Sequence, residues 1–323
     1  MPSNFNPSEH PGLGLVRVSE AGALAASRWV GRDDCDAADA AAQKALLAAL
    51  NLLPMRGRIV CGEEGRTGRH SPLDTDSAVG TGSGPELDVQ LNAIDGARLV
   101  AAGKSGAMSV VALTPQGTIW RPGPAIYMNK LVVDRAVADT LGPDALDAPA
   151  GWTLAAVARA KGKDISDLMV FVLDRPRHRE LVAEVRQAGA RVALRKAGDI
   201  GGAMMAADPN VPIDVLMGIG GAAETLLAAC AVKALGGAIM ARVAPQSENE
   251  TRACRERGLD LKQILTRDDL VTGDEVIFSA TGITDGWMFS GVARHGDMSR
   301  THSLVLRYET GTRRVIKTEH RAV

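Results

Sequence analysis

The sequence predicts an α+β protein of two halves, 1–150 and 151–323, and three observations carry that prediction. Leu87, Val89 and Leu91 alternate with Asp88, Gln90 and Asn92, the period-two pattern of a half-buried strand, which then runs into Asp95 and Gly96. Ahead of it lie two stretches rich in Ala and Leu, 21–30 and 37–53, with high helix propensity. Beyond 151 short apolar runs alternate with helix-length segments, the texture of parallel, helix-covered sheets.

Ser19-Glu20 offers a cap acceptor and a first-turn acid to the helix at 21–30, which Gly31 ends. Asp33, Asp34 and Asp36 open the second helix and Pro54 stands beyond it; capping and the helix dipole alone account for acids there. Residues 58–61 read as a short buried strand entering Gly62-Glu63-Glu64-Gly65, and glutamates are poor strand formers, so another cause placed them there. The polar stretch 66–85, rich in Gly, Ser and Thr, reads as a mobile loop and a lid candidate. After the central strand, 106–113 and 125–133 read as strands, the second carrying Tyr127 and Lys130. The aperiodic segment 142–151 marks the boundary between the halves. Helix 153–160, strand 168–174, helix 177–188, strand 191–195, helix 200–207, strand 213–218 and helix 222–235 follow. A strand at 275–279 and alternating segments near 303–308 and 312–318 close the chain.

With 46% hydrophobic residues among 323, the chain has ample material for a large core. A net charge of −1 with no basic run gives no electrostatic case for nucleic acid or an anionic membrane, and 3% aromatics gives few stacking platforms. No apolar run is long enough to span a bilayer, and the polar N-terminus is unlike a signal peptide. Cys35, Cys61, Cys230 and Cys254 form no CxxC pair, which points away from zinc and disulfides and toward a reducing cytoplasm. Small-molecule chemistry is the expectation.

Acids occur at three separated places: Asp33, Asp34, Asp36 and Asp39; Glu63 and Glu64; Asp88 and Asp95. If they converge, a cation must neutralise them, and hard oxygen ligands select magnesium or manganese. Taken alone, Asp95-Gly96 is equally a common turn dipeptide. Gly218-Ile219-Gly220-Gly221-Ala222-Ala223-Glu224 follows a strand and opens a helix, the layout of an anion site at a helix N-terminus. It lacks the third glycine of a dinucleotide fingerprint, which disfavours a dehydrogenase. Arg175-Pro176-Arg177-His178 sits at another strand-to-helix junction, where guanidiniums and free N–H groups can grip a phosphate.

Asn92-Ala93-Ile94-Asp95-Gly96-Ala97 resembles the Asp-Pro-x-Asp/Glu-Gly-Thr signature of the lithium-sensitive sugar phosphatases, the superfamily of inositol monophosphatase. The Gly-Ile-Gly-Gly turn and the Arg-Pro-Arg-His junction resemble motifs of its class II fructose-1,6-bisphosphatases. The likeness to that family runs from Val16-Arg17-Val18-Ser19-Glu20-Ala21 to Val276-Ile277-Phe278-Ser279-Ala280-Thr281-Gly282-Ile283-Thr284. It implies a layered αβαβα fold with the active site between the halves. It implies Mn2+ or Mg2+ at Asp34, Glu63, Asn92, Asp95 and Glu224, with Asp34, Asp95 and the position of Ala97 at the chemistry. Substrate would meet Asp95, Gly96, Ala97, Tyr127, Arg175, Pro176, Arg177, Ala197, Gly198, Asp199 and Gly221. The implied activity is metal-dependent hydrolysis of the 1-phosphate of fructose 1,6-bisphosphate or a related sugar phosphate, as in gluconeogenesis. A homo-oligomer, dimer or tetramer, is the expected assembly. The signature departs from the pattern at Asn92 for Asp, Ala93 for Pro and Ala97 for Thr. A second reading is therefore a catalytically weakened paralogue that binds a sugar phosphate or a partner protein.

Overall fold

The computed structural model of the chain describes residues 11–62, 64 and 68–321. Its first helix, α1 (Pro11–Ala26), begins well ahead of Ser19, so Ser19 and Glu20 lie inside the helix and do not cap it. Their polarity serves packing instead: the buried Ser19 hydroxyl is 2.8 Å from those of Ser279 and Thr281, and Glu20 accepts from Thr301 at 3.0 Å. Asp34 caps α2 (Cys35–Leu50), its carboxylate accepting from Ala37 N–H at 2.9 Å. Ala38, Ala42, Leu46 and Leu50, spaced by four, form the face that α2 buries.

Strands β1 (Arg56–Ile59), β2 (Ala78–Val79) and β3 (Glu86–Asp95), the short helix α3 (Ala97–Ala101) and β4 (Met108–Pro115) come next. The central strand β3 is buried on both faces over most of its length, which corrects the half-buried reading. The polar members of its alternation have interior partners. Asp88 accepts from Gly117 N–H and Ile119 N–H at 2.9 and 3.1 Å, and Gln90 bonds both backbone groups of Cys61 at 3.1 and 2.8 Å.

The next strand, β5 (Tyr127–Val133), leaves this sheet for a second one. There it joins β6 (Met169–Leu173), β7 (Arg191–Arg195), β8 (Val215–Gly221), β9 (Ala238–Val243) and β10 (Leu265–Thr266), in the order β10-β9-β5-β8-β6-β7. Only β8, β6 and β7 run parallel; β5 is antiparallel to both β8 and β9. The parallel expectation thus holds for three strands. Last, β11 (Ile277–Gly282), β12 (Ala293–His295), β13 (Met298–Arg307) and β14 (Thr312–Arg321) return to the first sheet, whose order is β12-β13-β11-β4-β3-β1-β2 with β14 on β13. The halves on either side of 142–151 are therefore not the two sheets, because β5 precedes that loop and β11–β14 come back.

Three helical layers enclose the sheets, giving the αβαβα order. α1 and α2 bury Leu15, Val18, Leu46 and Leu50 against Val89, Val111 and Val305 of the first sheet. On the far side, α4 (Ala150–Lys161) and α5 (Arg179–Gln187) set Leu154, Val157, Val182 and Val185 on Val170, Val172 and Met217. Between the sheets lie α6 (Asp199–Ala207) and α7 (Ala222–Leu235), so α7 is buried almost all round. Gly202 of α6 faces the Phe171 ring so closely that a Cβ would stand 2.5 Å from it. Two further helices, α8 (Glu248–Glu256) and α9 (Arg267–Leu270), complete the chain. Among the described residues no helix is long and apolar enough to cross a membrane.

Candidate functional site

The C-terminal ends of β3, β6 and β8 and the start of β5 open on one cleft of about 470 Å³, a volume within the usual range for small-ligand sites. Its acidic wall comes from β3. The pairing of β3 with β4 slips between Asn92 and Asp95, and Asn92 Oδ1 accepts from Ile94 N–H at 3.0 Å, turning the strand end toward the cleft. Gly96 follows at φ 99°, a left-handed conformation open to glycine, and Ala97 begins α3.

Asp95 is 4% exposed and accepts from Gly201 N–H at 3.1 Å, at the N-terminus of α6. Burial pushes its carboxyl up to about 7, the Gly201 and Ile200 N–H groups oppose that rise, and the negative Asp199 and Glu224 add to it. Asp199, at the start of α6 after the left-handed Gly198, receives the Lys130 ammonium at 2.7 Å. Lys130 is itself fully buried on β5 and also reaches Thr225 Oγ1 at 3.4 Å.

Glu224 stands in the first turn of α7, directly after β8. The approach is tight: a Cβ on Gly221 would lie 1.9 Å from the Glu224 carboxylate, and one on Gly220 would lie 1.8 Å from that of Asp199. Cations line the same cleft. The turn Pro176–His178 carries Arg177, whose guanidinium lies 5.1 Å from the Tyr127 ring centroid and donates to Ile219 C=O at 2.9 Å. Arg175, also lining the cleft, donates to its neighbour Asp174 C=O at 2.9 Å.

The structure brings Asn92, Asp95, Gly96, Ala97, Tyr127, Arg175, Arg177, Ala197, Gly198, Asp199, Gly221 and Glu224 to this cleft. Asp34 is not among its lining residues: it caps α2, and Asp36 and Asp39, in the helix that follows, face the cleft. Asp36 is paired there with Arg69 at 2.8 Å. Pro176 stands exposed at the outer side of the turn between Arg175 and Arg177. Glu63 lies outside the described residues, as do 66 and 67 of the proposed lid; the rest of that segment, 68–85, is described and is tied down in part by β2, which pairs with β1. Glu64, next to Glu63, lines a second cavity of about 250 Å³, which shares Glu224 with the main cleft.

Sequence reasoning gave no role to Lys130 or His178 and did not foresee the Gly201 N–H. A lysine within the apolar run Leu131–Val133 and Met128 was a signal, since a buried ammonium requires a carboxylate partner. A backbone donor from a distant helix leaves no such trace.

A divalent cation can be tested against these residues. Asn92, Asp95 and Glu224 offer only oxygen donors, and the raised Asp95, buried near two further carboxylates, marks negative charge that a hard cation would neutralise. Donor chemistry and charge fit such an ion. Among the described residues no group of three or more His, Cys, Asp or Glu is already gathered around a metal position.

Comparison with known proteins gives the family. A family model described as "Bacterial fructose-1,6-bisphosphatase, glpX-encoded" matches residues 10–320. The chain is 37% identical over 317 residues to "Fructose-1,6-bisphosphatase class 2" of Haemophilus influenzae, covering 94% of each chain. It is 35% identical to "Fructose-1,6-bisphosphatase 1 class 2" of Escherichia coli, covering 94% of this chain and 93% of that one. With the match running through both sheets and every wall of the cleft, the chain belongs to the glpX-encoded, class II fructose-1,6-bisphosphatase family of bacteria.

Proposed function

We propose that the chain is a metal-dependent sugar-bisphosphate phosphatase that hydrolyses the 1-phosphate of fructose 1,6-bisphosphate or a closely related sugar phosphate. The observation that carries this is the mixed charge of one cleft, whose lining includes the carboxylates of Asp95 and Glu224 together with the guanidiniums of Arg175 and Arg177. A sugar carrying two phosphates matches such a cleft. One phosphate is gripped by guanidiniums, and the other is presented to acids that hold a cation. Asn92, Asp95 and Glu224, with Glu63 as a further family position, would hold Mn2+ or Mg2+. The ion supplies charge neutralisation for the phosphoryl group and acidifies water.

The protein's own residues do the rest. Arg177, steadied by Tyr127 and Ile219, orients the distal phosphate. Asp199, fixed by Lys130, meets sugar hydroxyls beside Gly198 and Ala197. Gly96 and Ala97 let the reacting phosphate approach the backbone at the start of α3. None of the four cysteines is in a disulfide, in keeping with a cytoplasmic setting, and the reading includes a homo-oligomer, dimer or tetramer. The test is phosphate release by the purified chain with Mn2+ and with Mg2+ across a panel of sugar phosphates. Release from fructose 1,6-bisphosphate or another sugar bisphosphate is expected; silence on every sugar bisphosphate with both ions overturns the proposal.

A further inference from the structure

His178 is 3% exposed and sits where β6 and β8 part company. Those parallel strands pair at Val170–Val215 and Phe171–Leu216 and no further, so the backbone groups beyond need other partners. The imidazole supplies them. Ile219 N–H donates to Nε2 at 2.8 Å, and Nδ1 lies 2.7 Å from Leu173 C=O. A backbone N–H can only donate, so Nε2 is an unprotonated acceptor and Nδ1 carries the hydrogen that Leu173 accepts. The preceding residue, Arg177, donates to Ile219 C=O at 2.9 Å, so both sides of one residue of β8 are held by consecutive residues of the 176–178 turn. Gly218, at φ 122°, makes room: a Cβ there would stand 2.9 Å from Nε2.

We propose that neutral His178 is a positioning residue for the anion-binding corner: it wedges the crevice between β6 and β8 and fixes Arg177 and the Gly218–Gly221 turn through Ile219. Protonation puts a hydrogen on Nε2, turns its bond to Ile219 N–H into a clash of two donors, and frees both the turn and the guanidinium. The inference rests on the reading of Arg175 and Arg177 as an anion grip. Burial lowers the pKa of His178 below the ordinary 6.5; the Leu173 carbonyl and Asp199 of α6 oppose this, while Arg177 on its own turn and Lys130 of β5 reinforce it. Neutral His178 is thus the form present at neutral pH.

The test uses the full chain with inorganic sulfate as probe, because its charge is constant between about pH 5 and pH 8. Titration calorimetry on the native protein should find sulfate binding about tenfold weaker once His178 is protonated, against the electrostatic trend. His178→Gln keeps an acceptor for Ile219 N–H and does not titrate, so its sulfate affinity should be near native at neutral pH and, as Asp95 in the same cleft takes up its proton, level or tighter on acidification, where that of the native protein weakens. His178→Ala should bind weakly throughout. A native profile that tracks that of His178→Gln across this range means that His178 acts only as packing, and native binding that tightens more than the variant's means that it acts only as a charge; either result overturns the proposal. Imidazole 15N shifts of the native protein test it independently of any variant's folding, since a hydrogen on Nε2 at neutral pH is incompatible with it. Absence of sulfate binding at every pH also overturns it. Phosphate release, measured separately, then decides whether the proposed function falls as well.

Discussion

Asn92 stands where the family resemblance puts the first signature aspartate, and its Oδ1 is already used to close the turn to Ile94 N–H at 3.0 Å. An aspartate would keep that acceptor and add negative charge next to the buried Asp95. Ala97 is half-buried on the cleft wall, where a threonine would place a hydroxyl in reach of the reacting phosphate. Asn92→Asp with Ala97→Thr should therefore raise phosphate release with Mn2+, by up to about a hundredfold if both groups orient one water. Their effects should be non-additive, because they would act on the same water. Without metal, Asn92→Asp should lower Tm, since like carboxylates are then crowded in the interior. Calorimetric melting with and without Mn2+, beside turnover measured on all three variants, checks both signs. A native enzyme that is already fast, and a double variant no faster, would mean that this chain orients its water by another route. The residue types were legible in the sequence, as acids at three separated places and an Arg-Pro-Arg-His junction, whereas their convergence came only from the family resemblance. Lys130 and His178 were not legible, because their roles rest on partners in other strands and helices: Asp199 for the one, Leu173 and Ile219 for the other.

At the scale of elements, the junction from β8 to α7 carries the strictest demand for space. Gly220 and Gly221 bring the strand end against the carboxylates of Asp199 and Glu224, and no side chain fits between. Gly221→Ala would place a Cβ 1.9 Å from Glu224 Oε2, which the flexible end of that side chain can escape by rotating away. The fold should survive, with Tm lowered by only a few degrees, about 1 kcal/mol in stability. Glu224 would be displaced from its position, and Mn2+-dependent turnover should fall about a hundredfold, since a shift of roughly 1 Å at a catalytic group has that effect. Thermal melts and kcat for Gly221→Ala check the split; a loss of Tm well beyond a few degrees alongside the loss of activity would instead make Gly221 a packing residue. The elements themselves were largely visible beforehand. The period-two run became β3, and the Ala- and Leu-rich run at 222–235 became α7 at the same bounds. What periodicity could not convey was burial on both faces of β3. Its polar residues alternate as solvent-facing ones would, yet Asp88 and Gln90 point at loop backbone inside the protein. β9 and α8 went unread although Gly236-Gly237 and Pro245-Gln246-Ser247 mark their starts, Ser247 capping α8.

The whole molecule is held by sheets whose strands come from distant parts of the chain, and this topology left no local mark in the sequence. β5 enters the second sheet before the apparent boundary loop, and β11–β14 return to the first after it. A charge network ties these crossings down. Lys161, at the end of α4, lies 2.7 Å from both Asp134, just after β5, and Asp214, just before β8; Lys163 adds a 2.8 Å contact to Asp214. Asp214 also accepts from Met169 N–H at 2.9 Å, so one carboxylate joins the starts of β6 and β8 to α4. Burial alone would raise its pKa, but the hydrogen bonds from Lys161, Lys163 and Met169 outweigh burial and hold it below the ordinary 3.8. A depressed carboxylate contributes its full stabilisation above the unfolded value and loses it as pH falls through the folded one. The network should therefore support the fold at neutral pH and fail only under acid conditions below about pH 4. Asp214→Asn should cost about 3 kcal/mol at neutral pH, the lower end for breaking a buried ion pair because Lys163 still reaches solvent. The same variant should lose less further stability than the native protein on acidification below pH 4, having no carboxylate left to protonate there. Urea unfolding of both proteins at pH 7 and in acid measures the two differences; equal acid sensitivity would mean that Asp214 contributes through packing and hydrogen bonding alone, with its charge compensated equally in the unfolded chain.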